Sequence, residues 1–187
     1  MSPTTDGVRV EPETGRARPG MWRWLPAAAT ALVVLGALGA GTWWLTHPER
    51  FVEAGDGTEF DQGASDVAVG IHHLSGQDGE VVIRDVTATV TRNDAGATFE
   101  AKRCTLDPGL GFGAIGTAGV EDLSTMCTDL VDAAGATLSL DEADRQQLLL
   151  LIHAPGSGRV EINGVHVTYR DGVRWGAEDT GPDVLLP

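Results

Sequence analysis

GRVEINGVHVTYRDGVRWG, residues 158–176, alternates apolar and polar side chains over most of its length. Val165, Val167 and Tyr169 fall on one parity; His166, Thr168 and Arg170 fall on the other. A period of two places one set on a buried face and the other in water, as a half-buried strand requires. Asp171 and Gly172 interrupt the pattern before it resumes from Val173 to Trp175. Asp-Gly between alternating runs predicts a two-residue hairpin turn with positive φ at both positions. Upstream, Val160 and Ile162 have the opposite parity to Val165 and Val167. Asn163 and Gly164 must therefore form a bulge or a second tight turn.

The same chemistry recurs toward the N-terminus. Residues 67–74 form a first β-prone run, and 80–92 (EVVIRDVTATVTR) read as one long strand or two. After a turn at 93–96, residues 97–106 (ATFEAKRCTL) alternate and deliver Cys104; 136–140 and 184–186 add further short runs. Val, Ile and Thr runs repeating about every ten residues predict a mainly β fold, a β-sandwich. Two segments are ambiguous. Val120, Leu123, Cys127, Leu130 and Ala134 recur at helical spacing, which suggests a short helix, with an irregular loop as the alternative. Ser139 and Glu142 match a capping box, so a helix could run to Ala154; the alternative is one helical turn over 141–145 and a strand over 147–153. The strand is preferred, because an isolated helix would expose part of its apolar run while a strand buried on both faces hides all of it.

Residues 25–45, LPAAATALVVLGALGAGTWWL, have a different character. No ionisable side chain occurs between Trp24 and Thr46. At about 1.5 Å per residue a helix of this length reaches about 30 Å, one hydrocarbon thickness. Trp22 and Trp24 bracket one end and Trp43 and Trp44 the other, where indole rings favour the headgroup level. Arg9, Arg16, Arg18 and Arg23 precede the stretch and only Arg50 follows closely, so the N-terminus is expected inside and the C-terminus outside. Ala37, Leu38 and Gly39 offer a small-x-small cleavage site, but the long basic leader and the closing tryptophans favour a retained anchor. The expected organisation is a disordered cytoplasmic tail over 1–21, a transmembrane helix over 22–46, an acidic linker over 47–66 and an extracytoplasmic domain over 67–187.

From residue 47 onward there are nine basic and 24 acidic side chains. Such an excess argues against nucleic acid and against anionic lipid surfaces as partners of this part. Its two cysteines, Cys104 and Cys127, are an even count on the oxidising side of a membrane and read as one disulfide. Two free thiols holding a metal is the alternative, but no His or Cys pair stands near them at ligand spacing.

The Trp-flanked apolar stretch and the ending GRVEINGVHVTYRDGVRWG together resemble actinobacterial-type single-pass membrane proteins with an immunoglobulin-like extracytoplasmic domain. Residues 136–140, the DEAD turn and the Leu-rich run after it look like the E strand, corner and F strand of such a sandwich. The chain departs from a true immunoglobulin domain in three ways: the cysteine spacing is short, no Trp lies between the cysteines, and no Tyr precedes the second. The resemblance implies a sandwich and assigns no functional residue.

Gly111, Gly113 and Gly116 spell a G-x-G-x-x-G. That motif binds dinucleotides when a buried parallel strand feeds a helix whose N-terminus meets pyrophosphate, and no repeated βαβ pattern surrounds it here. No cofactor is expected. His72 and His73 would leave opposite faces of a strand, as would His166 and Tyr169. Neither G-x-S-x-G nor H-E-x-x-H occurs. Phe112, Tyr169 and Trp175 are candidate ligand or partner contacts, with core filling as the alternative for the last two. The expected function is a non-enzymatic binding or accessory module of the cell envelope, held by membrane lipid through one helix and serving an envelope protein partner. A small-ligand or glycan receptor using the 109–119 loop is the second reading and an envelope hydrolase the third.

Overall fold

The computed structural model describes residues 36–37, 39–44, 49–51, 58–60, 66–72, 78–111 and 113–187. Residues 36, 37 and 39–44 are helical. Among the described residues no helix is long and apolar enough to cross a membrane; most of the expected 22–46 anchor lies outside them.

Among the described residues of the unit Thr42–Pro187, ten strands form two five-stranded sheets. The first contains β1 (Thr58–Glu59), β3 (Glu80–Asn93), β7 (Thr137–Ser139), β9 (Val160–Asp171) and β10 (Arg174–Leu186), in the order β1-β10-β9-β3-β7. The second contains β2 (Asp66–Gly70), β4 (Thr98–Leu106), β5 (Thr117–Gly119), β6 (Cys127–Asp132) and β8 (Gln146–His153), in the order β5-β2-β8-β4-β6. Every pairing is antiparallel except β1 with β10. The sheets stack as a β-sandwich. Val81, Ile83, Val160, Ile162, Val165, Val167 and Tyr169 of the first sheet share one buried cluster with Val67, Val69, Leu148, Leu150 and Ile152 of the second.

Residues 80–93 are one strand, kept continuous by register shifts that skip Arg84, Thr89 and Thr91. The parity change in the 158–176 stretch is a bulge inside β9, not a turn: Val165 pairs with Ala88 and Ile162 with Val90, so β9 advances one residue more than β3 and both valine sets point inward. The hairpin turn lies one residue later than the Asp-Gly signal indicates. Asp171 pairs with Arg174, which leaves Gly172 and Val173 as the two-residue loop. Only Gly172 has positive φ, at 59°. Glycine at the first of two loop positions is the type II′ requirement, and it leaves Asp171 in the strand with its carboxylate free to act elsewhere.

The 140–153 segment resolves as the strand reading describes. Asp141 caps a 3₁₀ turn over Glu142–Asp144 by accepting from the Ala143 amide, and β8 follows. Gln147 through Ile152 are all buried. Leu148, Leu150 and Ile152 face the inter-sheet core, while Leu149 and Leu151 face a second cluster with Ala68, Cys104, Leu106, Ile115 and Leu123. The excursion between β4 and β6 closes that second cluster over the outer face of the second sheet.

The short helix suggested at 120–134 forms only over its first half. A 3₁₀ turn spans Val120–Asp122 and one α-helical turn Leu123–Met126, after which the chain enters β6. Cys127 is bonded to Cys104, and Leu130 pairs directly opposite Cys104 on β4. Forming ladder bonds with β4 and the covalent link holds this stretch extended, against a periodicity that a helix would also have satisfied. The disulfide joins neighbouring strands of one sheet, with the Cα atoms 5.5 Å apart.

Gln147 is the polar member of the second cluster, 2% exposed. Its Oε1 accepts from the Ile115 amide at 2.8 Å, and its Nε2 donates to the Ile115 carbonyl at 2.8 Å. Both amide ends are thus satisfied by one residue of the excursion, as burial demands. Gly70 makes room for this contact: a Cβ there would fall 2.2 Å from the Ile115 carbonyl oxygen and 2.4 Å from Gln147 Nε2.

Breaking the disulfide, which closes a separation of 23 residues, is expected to lower unfolding stability by about 3 kcal/mol in the chain-entropy account. Urea unfolding of the oxidised protein and of the Cys104→Ala, Cys127→Ala double variant measures it; equal midpoints would contradict it. Leu149→Ala, which opens the second cluster, is expected to cost about 2–5 kcal/mol in the same assay.

Candidate functional site

The β9–β10 hairpin presents two contrasting faces at the end of the sandwich. On the outer face Trp175 lies opposite Arg170, and Arg170 lies opposite Val82 of β3. Arg84, skipped by the register of β3 against β9, stacks its guanidinium 5.3 Å from the centroid of the Trp175 ring. Such a contact at an exposed site contributes about 0.5–1 kcal/mol. Arg170 turns its Nε to the Gly172 carbonyl at 2.6 Å. Neither Arg84 nor Arg170 has a carboxylate partner among the described residues. Val173 at the turn is 77% exposed and Trp175 is 58% exposed. The outer face is therefore an aromatic ring beside two cations that make no ion pair among the described residues, next to an exposed aliphatic tip.

The inner face fixes the incoming chain. Tyr169 is fully buried, so it offers no ring to a ligand or partner; its parity places it opposite to Trp175, inside the core. Its ring packs edge-on against Phe51, with centroids 5.1 Å apart, and Phe51 packs edge-on against His72 at 5.5 Å. The Tyr169 hydroxyl donates to Glu178. Glu178 also accepts from the backbone amides of Arg50, at 2.7 Å, and Phe51, at 2.9 Å. Asp171, released from the turn, accepts from Arg50 Nε at 2.9 Å and from Arg174. Two carboxylates of the hairpin thus hold residues 50 and 51 by main chain and side chain together. Arg174 in turn lies over the exposed Trp44 ring, 4.6 Å from its centroid.

Burial raises the pKa of the Tyr169 hydroxyl well above its ordinary value, and the Glu178 carboxylate beside it adds to the shift. The folded value lies above the unfolded one of about 10, so the contribution to stability is complete below that pH and is lost as pH rises above it.

A second, open feature runs between β3 and β4, a groove of about 520 Å³ lined by Asp85, Val86, Glu100, Ala101, Lys102, Asp132 and Ala134. Lys102 donates to Asp132 at 2.5 Å and approaches Glu100 at 3.1 Å. The hydrogen bond to Asp132, then that to Glu100, raises its pKa, which keeps the amine protonated and unsuited to act as a base or nucleophile.

The remaining candidates are dispersed. Trp22, Trp24, His73 and Phe112 lie outside the described residues, and Trp43 is an exposed helical residue. His153 pairs with Asp66 at 2.7 Å and His166 with Asp179 at 2.8 Å, on different sheets. No group of three or more metal-ligating side chains occurs among the described residues. The glycine motif is followed by strand β5 where a dinucleotide site needs a helix, and its Ile115 is held by Gln147. Sequence reading overlooked Arg84, Arg50, Asp171 and Glu178. Only the Asp171-Gly172 signal marks that end of the hairpin in the sequence, and it points to the turn and not to the carboxylate.

Tyr169 is the single tyrosine of the chain, so its ionisation has a spectrum of its own. Alkaline titration of the folded protein should show no tyrosinate absorbance near pH 10, and stability should fall as pH rises beyond that; Tyr169→Phe should flatten the decline. Tyrosinate appearing at the ordinary pH without unfolding would contradict the burial argument. No protein family, characterised protein or solved structure matches this chain in sequence or fold comparison.

Proposed function

We propose that the chain is a single-pass envelope protein with its N-terminus in the cytoplasm and an immunoglobulin-like sandwich outside, working as a non-enzymatic binding or accessory module. The observation that carries this reading is the clamp on Arg50 and Phe51. From Trp44 to Arg50 the chain reaches at most about 21 Å. The clamp therefore places the first fixed contact of the sandwich only a few residues along the chain from the Trp-flanked apolar stretch. Anchoring of this kind raises the local concentration of the sandwich loops and edges at the membrane, which is how an accessory module gains affinity without a large contact. The disulfide fits an oxidising compartment.

Strand order supports the immunoglobulin-like assignment. The neighbours β10-β9-β3 correspond to strands G-F-C of that fold and β2-β8-β4 to B-E-D. On this assignment β8 takes the E position and β9 the F position, one strand later than the sequence resemblance places them. The disulfide within one sheet remains a departure from immunoglobulin domains, whose bridge crosses between sheets.

A reporter active only outside the cytoplasm, fused after Pro187, is expected to be active, and the same reporter at the N-terminus silent. Mild cross-linking in native membranes, followed by purification through a C-terminal tag, should recover a stoichiometric envelope protein that is lost when residues 50–187 are removed. Recovery of the chain alone, at uncleaved mass, would overturn the accessory role.

A further inference from the structure

We propose that the outer face of the β9–β10 turn is a docking surface for anionic lipid headgroups, so that the sandwich rests on the membrane that anchors it. The inference depends on the anchoring reading above and adds to it a defined contact. Four observations bear on it. Val173 and Trp175 are exposed at and beside the β9–β10 turn, and a Trp beside an aliphatic side chain suits the headgroup level. Arg84 and Arg170 flank Trp175 with no carboxylate partner among the described residues, in a part of the chain with nine cations and 24 carboxylates. Four of those nine cations, Arg50, Arg84, Arg170 and Arg174, belong to this hairpin end, where Arg50 and Arg174 are paired with Asp171 and Arg84 and Arg170 are left to the outer face. Finally, the chain enters the sandwich here: residues 50 and 51 are clamped to the inner side of the same hairpin, and Arg174 stacks over Trp44, the last tryptophan of the apolar stretch.

The local carboxylates cancel this charge only in part. Asp171 and Glu178 accept from Arg50, Arg174, Tyr169 and the Phe51 amide on the inner side. Asp85, next to Arg84, accepts from the neutral Thr87 hydroxyl and keeps its charge, so the two outer arginines exceed the adjacent carboxylate by one. The tip therefore combines insertion of apolar side chains with guanidinium groups able to take phosphate oxygens in pairs, the combination that binds a peripheral surface to anionic lipid. Near such a surface each arginine shifts the docked-to-undocked ratio by about fivefold.

The test uses the full chain reconstituted in nanodiscs of phosphatidylcholine, with or without phosphatidylglycerol. The native cysteines are bonded to each other, so Val173→Cys supplies one reactive thiol for an environment-sensitive dye. Asp94→Cys, in the turn at the opposite end of β3, is the control. The expected result is a blue-shifted emission at 173, quenched by brominated lipid and stronger in the anionic discs, with 94 remaining water-like in both. Arg84→Gln with Arg170→Gln should bring the anionic discs down to the phosphatidylcholine level, while the urea midpoint falls only slightly, by the lost stacking on Trp175. A label at 173 as wet as that at 94, in chains that do incorporate, overturns the docking surface and leaves the anchor standing. Failure to incorporate at all overturns both. Shielding that follows the number of chains per disc, and not the lipid charge, would identify a contact between copies and overturn the proposal.

Discussion

The burial of β8 on both faces is the constraint on which the rest of the sandwich depends. Its even-numbered apolar residues complete the core between the sheets, and Leu149 and Leu151 need a second cover. The Gly-rich excursion and its disulfide supply that cover. Each fully buried leucine contributes about 1.5–3 kcal/mol, so neither face can be left to water. Gln147 sets the position of the cover, because an amide buried to this degree must find both a donor and an acceptor, and Ile115 provides them. Gly70 leaves the space for it. The glycines at 109–116 thus belong to a segment whose end is fixed by tertiary contacts.

A second dependence runs through the hairpin. Moving the turn to Gly172 and Val173 leaves Asp171 in the strand, where it meets Arg50 and Arg174. Glu178, across the hairpin, ties two backbone amides and the Tyr169 hydroxyl to one carboxylate. These bonds are charge-assisted and partly screened from water, the setting in which such contacts are strongest. The same hairpin therefore organises its inner side around acceptors and its outer side around cations. Net charge hides that segregation. Composition alone argues against any anionic surface as a partner, yet the hairpin end places around an exposed Trp two arginines with no ion-pair partner among the described residues, and a sum over residues has no place in it for position.

The strand framework and the preference for β8 as a strand are legible in the residues. Alternation, β-branching and turn chemistry are local properties, and here local and tertiary demands agree. The pairing of Cys104 with Cys127 follows from an even count. The helix suggested at 120–134 forms over 120–126 and gives way to strand from Cys127. Periodicity records which side chains are apolar, and β6 satisfies the same residues by pairing with β4 and bonding to it covalently. Tyr169 and Trp175 look equivalent as aromatics of one hairpin, but strand parity separates them into core and surface.

By itself the sequence determined the class of element along most of residues 67–187, the bulge-or-turn at Asn163 and Gly164, and the apolar stretch bracketed by tryptophans, because each depends only on neighbours along the chain. Tertiary structure alone decided which sheet each strand joins, where the hairpin turns, that the Gly-rich excursion closes a second core, and that Arg50 and Phe51 dock on residues more than a hundred positions away. Those outcomes depend on which donors, acceptors and apolar faces meet across the fold, and no local pattern records distances between residues that only folding brings together.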